Sequence, residues 1–154
     1  MTEVKYTDPQ DAKVFVERTG VDTLAVAIGT CHGLYPKGVV PKLRMDVLEG
    51  IQRVVDVPLV LHGGSGNPDE EVTEAVRIGI QKVNISSDYK SAFFVKAREI
   101  LARPNSGWDP NNLFPECIEA GKRVIAHKMR LFDSVGKAAL YREAGIRQWR
   151  WDLE

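Results

Sequence analysis

Three short apolar runs, each ending abruptly in residues that carry polar chemistry, constrain this chain more than anything else in it. The clearest is Pro58 to Pro68, PLVLHGGSGNP, where Leu59, Val60 and Leu61 give way to His62 and then to Gly63, Gly64, Ser65 and Gly66. An unbroken apolar run, as opposed to an alternating one, marks a parallel strand covered on both faces. A second run spans about Thr23 to Ile28 and passes into Gly29, Thr30, Cys31, His32 and Gly33. A third, IQKVNIS, passes into Asn84, Ile85, Ser86, Ser87 and Asp88. A strand that stops at a histidine and spills into glycines exposes its C-terminal end to something. Two glycines and a serine free several backbone N–H groups to face an anion, and a helix starting near Asp69 adds the positive end of its dipole. One side of this turn suits a phosphate, and the other offers an imidazole.

The segments between the runs read as helices. In TDPQDAKVFVERT, Thr7 or Asp8 is the cap, Pro9 fits the first turn, Ala12, Val14, Phe15 and Val16 form an apolar face, and Gly20 stops the helix. LRMDVLEGIQRVV carries apolar residues at helical spacing, after an irregular loop, LYPKGVVP, that holds Lys37. Lys37 is read as a solvated lysine or a phosphate partner. A helix from Pro68 or Asp69 runs to Gly79, and YKSAFFVKAREILA forms a longer one that breaks before Pro104. NSGWDPNN reads as a loop. A last helix is expected from Pro115 to about Phe132, with Cys117, Ile118, Val124, Ile125, Met129 and Leu131 as apolar positions. The tail QWRWDLE, with Trp149 and Trp151, reads as a terminal helix or arm over exposed core. Strict alternation of helices with fully apolar strands means an α/β fold with parallel strands. Chemistry at every strand end is the arrangement of a (β/α)₈ barrel, but eight strands take roughly 250 residues and this chain has 154. The expected fold is therefore part of a TIM barrel within one domain, residues 1–154.

Composition narrows the function. Twenty-one basic and 21 acidic residues leave no net charge, hence no electrostatic case for nucleic acid or a charged membrane surface. No apolar run approaches the roughly 20 residues of a membrane span. MTEVKYTDPQD has neither the basic start nor the apolar centre of a signal peptide, which points to the cytoplasm. Two cysteines make no disulfide framework; Cys31 beside His32 reads as a small buried residue at a strand end, with a nucleophile or ligand as the sharper alternative.

His32 and His62 follow successive strands directly, and neighbouring strands lie about 4.8 Å apart. Two imidazoles at such tips can share a zinc ion, which takes nitrogen ligands at about 2.0–2.1 Å; each can equally be a hydrogen-bonded structural histidine. His127, inside a helix, is given a surface role.

The segments TLAVAIGTCHGLY, PLVLHGGSG and GIQKVNISSD, in this order, resemble the C-terminal half of the class II ketose-bisphosphate aldolases, zinc-dependent enzymes of fructose or tagatose 1,6-bisphosphate. The likeness runs from the TDPQDAKVFVERTG helix to about SVGKA. It implies that His32 and His62 are zinc ligands. It implies that Gly33, Gly63, Gly64 and Ser65 hold the phosphate of the dihydroxyacetone phosphate moiety. Asn84 matches the asparagine that contacts the enediolate, Ser87 matches a phosphate-binding serine or threonine, and Ser86 shares that turn. A monovalent cation, sodium or potassium, belongs near the phosphate in this family. The family's third zinc histidine and its acid/base aspartate lie on earlier strands, and no such Asp-His pair occurs here. Asp88 is the only acidic residue beside a matched motif and is not read as a catalytic base.

The expected function is therefore zinc-dependent aldol cleavage of a ketose bisphosphate, with an N-terminal aldolase half or a homo-oligomer as partner. A non-catalytic phosphate-binding or assembly module, and a self-sufficient enzyme with a rebuilt site or two-copy barrel, are the alternatives. Open edges and uncovered inner strand faces predict that the chain by itself associates or is partly molten.

Overall fold

The computed structural model describes residues 5–33, 35–104 and 109–143. Its elements follow in the order α1 (Pro9–Thr19), β1 (Leu24–Ala25), α2 (Met45–Gln52), β2 (Leu59–Leu61), α3 (Asp69–Ile78), β3 (Ile80–Val83), α4 (Ser87–Leu101), α5 (Pro110–Leu131) and α6 (Ala138–Glu143). The strands form one parallel sheet in the order β1-β2-β3, so the α/β expectation holds. Asp8 is the residue that caps α1, accepting from the N–H groups of Gln10 and Asp11. Thr7 instead exchanges bonds with Ala27, its hydroxyl accepting from Ala27 N–H at 2.8 Å.

The main core lies between the sheet and α1–α3. Ala12, Val26, Ile28, Leu48, Ile51, Leu59, Leu61, Ala75 and Ile80 are buried there. The opposite sheet face is covered only at its centre. Val60 of β2 is buried between its neighbours, whereas Ala25 and Ala27 on one side and Lys82 on the other are exposed. The expectation that the first strand is buried on both faces is thus corrected: Leu24, Val26 and Ile28 turn toward the helices, and Ala25 and Ala27 do not. Among the described residues β1 is paired with a strand on one flank only. In α1, Ala12 is buried, but Val14 and Phe15 stand exposed because one narrow stripe of the helix meets α2.

The second correction concerns α5, which begins at Pro110 and includes Pro115. Asp109 accepts from Asn111 N–H and Pro110 occupies the first turn, a start signal that overrides the later proline. α4 and α5 pack together around Cys117, Ala97 and Ile100, with Phe93 and Leu113 against them, and Arg103 clasps Glu116 with two bonds. Of the other expected apolar positions, Ile118, Ile125 and Met129 remain about two-fifths exposed. Trp149 and Trp151 lie outside the described residues. Among the described residues no helix is long and apolar enough to cross a membrane.

Candidate functional site

Parallel pairing continues to the strand ends and aligns them. Val26 N–H donates to Val60 C=O (3.1 Å), and Asn84 N–H donates to Leu61 C=O (3.0 Å). The next residue on each path is then a tip residue. His32 and His62 come together with ring centroids 5.9 Å apart and planes inclined by 50°, both exposed to solvent. Asn84 stands beside His62, its Nδ2 3.1 Å from Nδ1 and 3.3 Å from Nε2. Lys82 sets the carboxamide's orientation. Its ammonium can only donate, and Asn84 Oδ1 takes that bond at 2.6 Å, leaving Nδ2 for the imidazole.

The glycine turn is held from several sides. Gly63, at φ +66°, has no room for a side chain, because a Cβ there would lie 2.7 Å from the Cys31 carbonyl oxygen. Thr30 Oγ1 donates to His62 C=O at 2.7 Å, a further tie between the first two tips. Gly64 N–H donates to Asn84 C=O at 3.1 Å, which binds the second tip to the third. The side chain of Asn67, buried, donates to the carbonyls of Gly63 (2.7 Å) and Ser65 (3.3 Å). The Tyr35 hydroxyl accepts from Cys31 N–H and donates to Asn67 Oδ1.

Ser65 is buried, and its hydroxyl oxygen accepts from the N–H groups of Ser86 (3.1 Å) and Asp88 (3.3 Å) at the start of α4. Asp88 Oδ1 accepts Gly66 N–H at 3.0 Å, so this carboxylate is engaged with the turn. The Gly63–Asn67 turn and the Ser86–Ser87 turn are therefore one unit, with the N-termini of α3 and α4 converging on it. Ser87 is the first residue of α4, and its N–H has no acceptor within the helix.

The sequence-derived residues thus divide by position. His62 stands beside both His32 and Asn84; Gly63, Gly64, Ser65, Ser86 and Ser87 meet at the adjoining turns. Gly33, at φ +105°, has no atom within 4 Å of where a side chain would start and lies on the loop beyond His32. Lys37 is exposed in that loop, and Cys31 is exposed as well, correcting its reading as a buried residue. The chain has already left the sheet at Gly29, so Cys31 stands on the loop that packs against Gly63 through its backbone. Cys117 is the buried thiol. His127 is at the surface, as expected, but its Nε2 lies 2.7 Å from Asp69 Oδ2. Burial pushes the Asp69 carboxyl up, yet the bonds from His127 and Lys128 outweigh it and hold it below the usual range.

Sequence reasoning missed Thr30, Tyr35, Asn67 and Lys82. Asn67 alone left a signal, an amide directly after a glycine-rich turn. As a metal site the tips fit in part: two imidazoles stand side by side, but no group of three or more His, Cys, Asp or Glu suited to a metal occurs among the described residues.

An open parallel sheet with histidines and a glycine turn at its C-terminal ends defines an α/β protein whose candidate site lies across the strand tips. Residues 1–137 match the family model of class II fructose-bisphosphate aldolase, and the chain belongs to that family. It is similar to the YdjI aldolase of Escherichia coli K12, at 40% identity with a TM-score of 0.74 over 87% of this chain and 47% of that one. A putative fructose-1,6-biphosphate aldolase from Coccidioides immitis aligns at 30% identity and TM-score 0.70, over 88% of this chain and 46% of that one. The fructose-bisphosphate aldolase of Campylobacter jejuni shares the fold, at 24% identity and TM-score 0.71, over 86% and 47%. The chain spans about half the length of these structures.

Proposed function

We propose that this chain forms the C-terminal part of a class II aldolase barrel and takes part in cleaving a ketose 1,6-bisphosphate to dihydroxyacetone phosphate and glyceraldehyde 3-phosphate. The observation that carries the reading is the meeting of His32, His62 and Asn84 at adjacent strand tips beside the glycine turn.

In this reading His32 and His62 hold a zinc ion, with a third ligand from an N-terminal aldolase half. Zinc bound there would polarise the substrate carbonyl as a Lewis acid. The chain's own residues orient the substrate. The hydroxyls of Ser65, Ser86 and Ser87, with the N–H of Ser87 and the loop glycines Gly33 and Gly63, hold a phosphate by hydrogen bonding and by the positive helix end. Gly64, whose N–H is bonded to Asn84 C=O, lets the turn lie close to the third tip. A phosphate so fixed keeps the reacting carbons within reach of the histidine tips. Asn84, held by Lys82, offers its amide N–H to the substrate oxygens as negative charge develops there. The cytoplasmic, membrane-free setting and a monovalent cation near the phosphate belong to the same reading.

The test is cleavage of fructose 1,6-bisphosphate by this chain alone and after co-expression with an N-terminal aldolase half, each with and without a chelator. Chelator-sensitive cleavage in the co-expressed sample, lost in His62→Ala, is the expected result. No cleavage by halves that demonstrably associate would reject the proposal and favour a phosphate-binding module. Activity of the chain alone would reject the need for a partner.

A further inference from the structure

Among the described residues Lys128 is the only charged side chain that is buried, at 8% exposure. A buried ammonium is costly without partners. Lys128, on α5, has two: Asp69 Oδ1 at 3.2 Å and Asp88 Oδ2 at 3.5 Å. Neither partner is on its own helix. Asp69 opens α3 and Asp88 stands in the first turn of α4, so Lys128 joins the N-termini of the two helices that follow the binding turns. The other oxygen of Asp88 accepts Gly66 N–H at 3.0 Å. A charge on α5 is thereby connected, through one carboxylate, to the glycine turn itself. It also offsets negative charge from two carboxylates at the helix ends an anion would approach.

We propose that Lys128 is a positioning residue for the glycine turn. It fixes the Asp88 carboxylate so that Oδ1 keeps the Gly66 N–H, and it offsets the charge of Asp69 and Asp88 where the phosphate would bind. The second half of this statement rests on the phosphate reading given above; the first half does not. A residue that merely packs α5 would contribute stability everywhere. A positioning residue acts on Gly66 in particular.

Backbone amide hydrogen exchange in the full 154-residue chain, read by NMR, separates the two. Lys128→Met is expected to speed exchange at Gly66 by roughly tenfold relative to Leu48 of α2, the effect of losing one charge-assisted hydrogen bond. Lys128→Arg is expected to restore most of the protection. Equal acceleration at Gly66 and Leu48, or no rescue by arginine, overturns the proposal. Should Lys128→Met fail to fold, Lys128→Gln removes the charge while keeping a polar end and leaves the Asp88 carboxylate in place. Faster exchange at Gly66 with Leu48 unchanged supports the proposal, and unchanged protection at Gly66 overturns it. A titration with inorganic phosphate completes the test: weaker binding in Lys128→Met supports the charge role, and equal binding overturns it. Failure of the unaltered chain to bind phosphate rejects the phosphate reading and the charge role with it; the Gly66 comparison still decides the positioning role.

Discussion

Replacing Gly64 with alanine would put one methyl carbon into space that is already filled. A Cβ at this position would lie 2.5 Å from Val83 Cγ1, 3.0 Å from Ile85 Cδ1 and 3.1 Å from the Asn84 carbonyl oxygen. Carbon atoms pack best at about 3.5–4.0 Å, so the Val83 methyl group is roughly 1 Å too close. Val83 is β-branched, and few rotamers let it yield. The turn must therefore lift away from the third strand tip, straining the Gly64 N–H bond to Asn84 C=O. Overpacking costs about 1–3 kcal/mol, and a lost backbone bond about 1 kcal/mol more. For a chain of this size each kcal/mol lowers Tm by about 2–4 °C, which gives a fall of roughly 4–16 °C for Gly64→Ala. Gly20→Ala is the control. Gly20 sits at φ +64° with no atom within 4 Å, so only the left-handed backbone is penalised, by about 1 kcal/mol. Thermal melts by circular dichroism measure both. A Gly64→Ala melt no lower than that of Gly20→Ala would refute the close packing of the glycine turn on Val83 and Asn84.

Two further predictions address the same region. Ser65→Ala leaves the N–H groups of Ser86 and Asp88 without their acceptor and should destabilise the chain by about 1–3 kcal/mol, measured by urea unfolding; Ser65→Thr, which keeps the hydroxyl, separates that loss from crowding. Thiol titration with a chromogenic disulfide should find Cys31 reacting at once and Cys117 only on unfolding; two fast thiols would contradict the burial of Cys117 between α4 and α5.

Much of the architecture was legible because its causes are local. The apolar runs at Leu24, Leu59 and Ile80 became the three parallel strands, and Gly20 and Gly79 ended α1 and α3 as read. Asp109-Pro110 is as clear a helix start as Asp8-Pro9, and Pro115 lies inside the helix that it opens. The exposure of Cys31, Val14 and Phe15 was not legible, since it depends on which elements cover them, and composition carries no record of that.

The sequence by itself determined the strand-and-helix order and which residue types stand at each strand end, because capping, periodicity and turn chemistry act between near neighbours. Only the tertiary structure decided which of those tips meet. The ladder of β2 and β3 slips between Leu59 and Val60, so Ile80 faces Leu59 while Lys82 faces Val60. The extra residue, Gln81, supplies its own Oε1 to Leu59 N–H at 2.7 Å, which keeps that donor satisfied. Past this irregularity Leu61 faces Val83, and the next residue of each strand, His62 and Asn84, comes into contact. The Ser65 hydroxyl likewise turned inward to hold the start of α4, and Lys128 reached two carboxylates 40 to 59 residues away. Such contacts join residues far apart in the chain, and packing alone selects them.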